Sequence, residues 1–138
     1  MRTLQLLACL AVLGASQAFA AQAPAWPARP VRFVVPYPAG GGTDILARMI
    51  GARLTESWGQ AVVVDNRPGG GTVIGSDLVA KSAPDGHTML MTSGTHSVNA
   101  SLYAKLPFDP VRDFAPVTQI AATPNILIAH PSLNARTL

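Results

Sequence analysis

Val31-Arg32-Phe33-Val34-Val35-Pro36-Tyr37-Pro38-Ala39-Gly40-Gly41-Gly42-Thr43-Asp44 is the stretch that decides how this chain is read. Val31–Tyr37 is β-rich and almost wholly apolar, the composition of a strand covered on both faces. Pro38–Gly42 reads as a loop, and Thr43-Asp44 is a helix-capping pair. Ile45, Leu46, Met49, Ile50, Leu54 and Trp58 then recur at helical spacing. Gly59 is placed to end the helix in a left-handed cap.

The same order follows twice more. Ala61–Asp65 predicts a second buried strand, and Asn66-Arg67-Pro68-Gly69-Gly70-Gly71 a turn. Thr72 opens a shorter helix with Ile74, Leu78 and Val79 on one face, ending at Pro84-Asp85-Gly86. His87–Thr92 predicts a third strand, leading through Ser93-Gly94-Thr95-His96 to a short helix near Val98–Tyr103. Phe114–Ala121 and Asn125–His130 read as two further strands. Repeated strand–loop–helix units imply right-handed crossovers and a parallel sheet, so the expected class is α/β. All three loops fall at the carboxyl ends of their strands, where open α/β sheets bind ligands.

Composition removes several classes of function. With 49% hydrophobic and 12% charged residues among 138, the chain is too apolar for a disordered segment. Its basic residues are scattered singly, which excludes a nucleic-acid footprint. No apolar run after position 25 is long enough to span a bilayer. Met1-Arg2-Thr3 followed by apolar Leu6–Ala15 and Ala18-Phe19-Ala20 has the layout of an export signal cleaved after Ala20. A buried first helix is the alternative. Residues 21–30 are Pro- and Ala-rich without a period and read as a leader strand or arm. Cys9, the only cysteine, would leave with the signal. Leu6-Leu7-Ala8-Cys9 resembles a lipoprotein box, but its apolar core lies on the wrong side of the cysteine. The mature chain then has no disulfide, thiolate catalyst or Cys metal site.

The loop Tyr37, Pro38, Ala39, Gly40, Gly41, Gly42, Thr43, Asp44 carries the strongest local chemistry. Consecutive glycines let peptide N–H groups converge on an anion, and the following helix adds its positive end. A tight βα turn that needs glycine for its own geometry is the competing explanation. Gly69, Gly70, Gly71 and Thr72 repeat the pattern on the neighbouring strand. With Ser93, Gly94, Thr95 and His96 they make a rim of backbone donors and small hydroxyls, which suits a carboxylate. Gly42-Thr43-Asp44 lacks the lysine of a Walker loop, and Asp44 would repel a phosphate. Neither glycine cluster has dinucleotide spacing.

No Gly-x-Ser-x-Gly elbow occurs, no two of His87, His96 and His130 have metal-ligand spacing, and the carboxylates are dispersed. No catalytic residue, metal ligand or cofactor is expected, and the chain reads as a binding protein rather than an enzyme. His96 is either a pocket residue or part of a helix start.

Val34–Asp44, Val64-Asp65-Asn66-Arg67-Pro68-Gly69-Gly70-Gly71-Thr72, Ala83-Pro84-Asp85-Gly86-His87-Thr88 and Asp113-Phe114-Ala115-Pro116-Val117 occur here in order, after an export signal and a Trp26-Pro27, Arg29-Pro30 leader. In this combination the sequence resembles the Bug (Bordetella uptake gene-type) solute receptors of tripartite tricarboxylate transporters. The resemblance implies a two-lobed periplasmic binding protein of type II, with a three-layer βαβ first lobe. It implies a small organic carboxylate as ligand, held by the loops after the first two strands through backbone groups and ordered water. It implies membrane permease subunits as partners, periplasmic location, and a monomer when complete. By the same resemblance residues 1–20 are the signal, 21–124 an incomplete first lobe, and 125–138 a crossover strand entering a second lobe that is largely missing. A ligand-sensing partner of a membrane sensor kinase and an α/β enzyme using the same cleft are the alternatives.

Overall fold

Val31–Val35 forms β1, the centre of a three-stranded parallel sheet. Val62–Asn66 (β2) pairs on one side and Thr88–Leu90 (β3) on the other, giving the order β2-β1-β3. The computed structural model describes residues 25–124, 126–128, 130, 132 and 133. The expected export segment and its cleavage site lie outside them, as do several positions of the expected crossover strand. Register runs from Val31 opposite Val62 to Val35 opposite Asn66, and Arg32 to Val34 lie opposite Thr88 to Leu90. Flanked on both sides, β1 loses Val31, Val34 and Val35 completely from solvent.

Alternation along β1 assigns the helices to the two faces. Val31, Phe33 and Val35 point to one face, where Gly42–Trp58 (α1) covers them with Leu46, Ala47, Ile50, Leu54 and Trp58. Of the positions that recur at helical spacing, Leu46, Ile50, Leu54 and Trp58 face the sheet, whereas Ile45 and Met49 are exposed and Ala47 takes a core place instead. Each buried Val or Phe contributes about 1.5–3 kcal/mol. Gly59 closes α1 at φ 67°, its N–H bonded to Thr55 O. Val34 and Pro36 point to the other face, where Val73–Ala80 (α2) lies, entered through a 3-10 turn at Gly70–Thr72. Helix α2 contacts β1 and β3. Helix, sheet, helix is the expected three-layer α/β arrangement.

Gly75 permits the close approach of α2. A Cβ there would stand 2.8 Å from Pro36 Cβ and 2.9 Å from the Arg67 carbonyl. Thr95–Leu102 forms α3, which packs on the 3-10 turn. The leader is packed rather than free: Trp26 meets Trp58 edge-on at 4.9 Å and donates to Asp85 O, and Arg29 pairs with Asp85 at 2.8 Å.

Several expectations change: β1 ends at Val35 rather than Tyr37, and β2 is only partly buried, with Val63 52% exposed. β3 is shorter than His87–Thr92, and α3 begins at Thr95 rather than near Val98, so Thr95 and His96 belong to its first turn. The N-cap of α1 is Gly41, without a side-chain bond, not Thr43-Asp44. Among the described residues none beyond Leu90 lies in a strand, so Phe114–Ala121 is irregular, as are the described positions of 125–130. Val117 is 81% exposed and Ile128 84%. β-branched composition becomes a strand only where a neighbour completes the ladder, and here none of the three strands does.

Candidate functional site

The chain steps from β1 to β2 on one side and then crosses β1 to reach β3 on the other. The connections leaving β1 and β3 therefore diverge at the carboxyl edge, where such sheets hold ligands. Every sequence-predicted site residue lies at this edge.

Tyr37 fastens the first loop to the third. Its hydroxyl is 2.7 Å from Ser93 Oγ, 2.7 Å from Thr95 Oγ1 and 3.4 Å from Thr92 Oγ1, and it accepts the Ser93 N–H at 3.2 Å. Burial alone would raise the phenol pKa, but the bonds to Ser93, Thr92 and Thr95 outweigh it and hold the phenol below its ordinary value. Ser93 and Gly94 stay exposed, so this hydroxyl cluster opens on solvent.

Asp44 shapes the first loop from inside α1. Its Oδ2 accepts the Gly40 N–H at 2.8 Å and Arg48 Nε at 3.0 Å, while Oδ1 accepts Asn66 Nδ2 at 3.0 Å. The same Asn66 amide donates to Tyr37 O at 3.2 Å, and Arg48 reaches Asn66 Oδ1 at 3.0 Å. The carboxylate expected to face an anion is 2% exposed and its charge is matched by Arg48. The bond from Arg48, followed by those from Gly40 and Asn66, lowers the Asp44 pKa from 3.8 to about 2. A depressed carboxylate stabilises the fold above its unfolded pKa and loses that contribution as pH falls through its folded value. Urea-unfolding midpoints of wild type and Asp44→Asn should therefore differ at pH 5 and converge between about pH 4 and 2. A gap that persists undiminished at pH 2 would contradict this role.

The second loop is a left-handed run, with φ of 125°, 56° and 61° at Gly69, Gly70 and Gly71 and 82° at Thr72. A non-glycine residue there costs roughly 1–3 kcal/mol. Buried Thr72 is held by Asn99, whose Nδ2 donates to Thr72 Oγ1 at 3.0 Å and to Gly71 O at 2.8 Å. Tyr103 Oη donates to Gly70 O at 3.1 Å. Asn99 and Tyr103 reach the second loop from α3 and its C-cap.

The glycines of the edge fall into two groups. Gly40, Gly69, Gly70 and Gly71 occupy the left-handed region, so the turn itself requires them. Gly41, Gly42 and Gly94 do not. Gly41 has φ −75° and Gly94 φ −53°. A Cβ at Gly42 or Gly94 would meet nothing within 4 Å, and one at Gly41 only Pro38 O at an ordinary 3.5 Å.

Thr43 is half-buried beside this loop, whereas Pro38, Ala39 and Gly40 are exposed. His96 turns away from the cluster: its Nε2 lies 3.0 Å from Pro110 O and its ring packs on Phe108 and Phe114. That geometry favours the helix-start reading of this residue. Asn66, Asn99 and Tyr103 escaped sequence reasoning because each acts across more than twenty residues of chain, whereas Arg48 sits one helical turn from Asp44 and was within reach of spacing.

The arginines bordering these loops are paired, Arg48 with Asp44 and Arg67 with Asp65. Asp65 also accepts Arg32 Nε at 2.7 Å. Burial would raise its pKa, but the two guanidinium groups outweigh that and lower it. These three residues line a depression of about 370 Å³ beside β2, together with Pro30, Val31, Val63 and Val64. Its charges are satisfied within the chain, so the carboxyl edge is the stronger candidate. Among the described residues no helix is long and apolar enough to cross a membrane.

Known proteins resemble this chain in sequence and fold. Residues 46–138 match the family model described as tripartite tricarboxylate transporter family receptor. BugT of Bordetella pertussis is 41% identical over 137 residues, covering 96% of this chain and 42% of BugT. MatC of Rhodopseudomonas palustris, solved with bound malate, superposes with a TM-score of 0.61 at 40% identity, covering 67% of this chain and 32% of that one. An R. palustris protein solved with adipate gives 0.58 at 45% identity, over 62% and 29% of the two chains. This chain spans less than half the length of the relatives it matches.

Proposed function

This chain belongs to the tripartite tricarboxylate transporter receptor family, and we propose that it supplies the first lobe of an exported receptor for small organic carboxylates. Residues 21–124 form that lobe in this reading, and 125–138 lead into the second. The receptor is periplasmic, non-enzymatic and hands its ligand to the permease subunits of a tripartite tricarboxylate-type transporter. The observation that carries the reading is the unexplained glycine. Gly41, Gly42 and Gly94 meet no internal requirement for glycine, yet all lie at the sheet edge, where a side chain would obstruct an incoming ligand. Malate and adipate in the two solved relatives are both dicarboxylates, which makes a dicarboxylate the first ligand to test. The hydrogen-bonded Tyr37 and Asp44 are committed to holding the loops, which supports binding rather than proton transfer.

The test uses a two-lobed receptor made by continuing this chain with the second lobe of the malate-bound relative. Calorimetric titration should show binding of malate or adipate and none of the corresponding neutral diamides. A receptor that binds neither dicarboxylate, or that turns one over, would overturn the proposal. Salt dependence should be weak, because Arg48 and Arg67 are already paired and neutral donors carry the anion in this lobe. Affinity should fall less than about tenfold between about 50 and 200 mM salt, well short of the loss seen when many ionic contacts break. A steeper fall would place an unpaired cation of this lobe against the ligand.

A further inference from the structure

Every peptide presents an acceptor as well as a donor, so a glycine turn is not anion-selective by composition alone. In the second loop the acceptors are taken one after another. Gly69 O accepts the Thr72 N–H at 3.0 Å and the Ile74 N–H at 3.5 Å. Gly70 O accepts both the Val73 N–H and the Tyr103 hydroxyl, and Gly71 O the Asn99 amide. In a trans peptide the N–H points opposite to its own C=O. Fixing the Gly69 carbonyl inside the turn therefore directs the Gly70 N–H outward. Fixing the Gly70 carbonyl toward Tyr103 directs the Gly71 N–H away from α3. Among the described residues neither amide has an acceptor, and both glycines are exposed.

We infer that Asn99 and Tyr103 are specificity-determining positioning residues, which make the second loop a surface of donors by occupying its carbonyl oxygens. They touch no ligand. Their effect is on sign: an uncharged loop selects a carboxylate over an amide of the same shape because its acceptors are already engaged. The inference rests on the carboxylate-receptor reading above and adds how that site tells an anion from its neutral analogue. Asn99 suits the task because one amide reaches both Gly71 O and Thr72 Oγ1, holding the strained Thr72 and the neighbouring carbonyl together.

The test compares wild type, Tyr103→Phe and Asn99→Ala in the two-lobed receptor, titrated with malate and with its mono-amide. Tyr103 is partly exposed and its replacement conservative, so that variant folds even if the buried Asn99 variant does not. Tyr103→Phe should weaken malate on the order of tenfold, the equivalent of one hydrogen bond to a charged group. It should weaken the mono-amide less, because Gly70 O, left with the Val73 N–H alone, has a second lone pair open to an amide N–H. The carboxylate-to-amide preference therefore narrows, a change that lost stability alone would not produce. Wild-type binding of malate with an unchanged preference in Tyr103→Phe would overturn this inference and leave the receptor reading standing. A wild type that binds no dicarboxylate would overturn both.

Discussion

Gly75→Ala is expected to destabilise the protein by about 1–3 kcal/mol, although alanine is the better helix former by nearly 1 kcal/mol. The new methyl group would stand 2.8 Å from Pro36 Cβ, 2.9 Å from the Arg67 carbonyl and 3.1 Å from Pro36 Cα. None of these can swing aside. Pro36 is fully buried after β1, and the Arg67 carbonyl belongs to the backbone leaving β2. The only relief is to lift α2 off the sheet, which would carry Thr72 and the left-handed turn with it. Gly42→Ala is the matched control, since its methyl group meets nothing within 4 Å. A compatible Gly→Ala change reduces the entropy of the unfolded chain and should leave stability equal or raise it by about 0.4–1 kcal/mol. Urea-unfolding midpoints of the two variants should thus move in opposite directions. A Gly75→Ala variant as stable as wild type would mean that α2 does not sit this close to β1.

The contrast between these glycines marks where sequence reading stops. In the sequence Gly42 and Gly75 are alike, one in each βα unit. Only the fold brings Pro36 and Arg67 against one of them and nothing against the other. What did read correctly rests on local periodicity. The β-rich run Val31–Tyr37 predicts a buried strand, found over Val31–Val35; Leu46, Ile50 and Leu54 predict α1, and Gly59 predicts its end. The three loops were also legible, because Gly, Pro and Ser clusters punctuate the pattern and strand polarity puts them on one edge.

The ties between the loops were not legible. Tyr37 meets Ser93 across 56 residues, and Asn99 meets Gly71 across 28. Such partners follow from the sheet order β2-β1-β3 rather than from any spacing. Asp44 shows the same limit in another form. Beside a glycine loop its charge looks like an obstacle to anions. In the fold, Arg48 one turn later and Asn66 at the end of β2 convert it into the brace of that loop. Phe114–Ala121 is the opposite case, where β-rich composition is present and no described strand pairs with it.

In the proposed receptor the carboxyl edge binds the ligand, and Gly41 and Gly42 are glycine because the ligand, not the fold, needs the space. The most direct measurement is calorimetric titration of malate into the two-lobed receptor carrying Gly41→Val or Gly42→Val, beside wild type. Internal strain should be small, since Gly41 has φ −75° and a Cβ at Gly42 is free of contacts. Circular dichroism and the unfolding midpoint should stay near wild type while malate affinity is lost, by on the order of a hundredfold or about 3 kcal/mol. Wild-type affinity in both valine variants would contradict it and remove the first loop from the site.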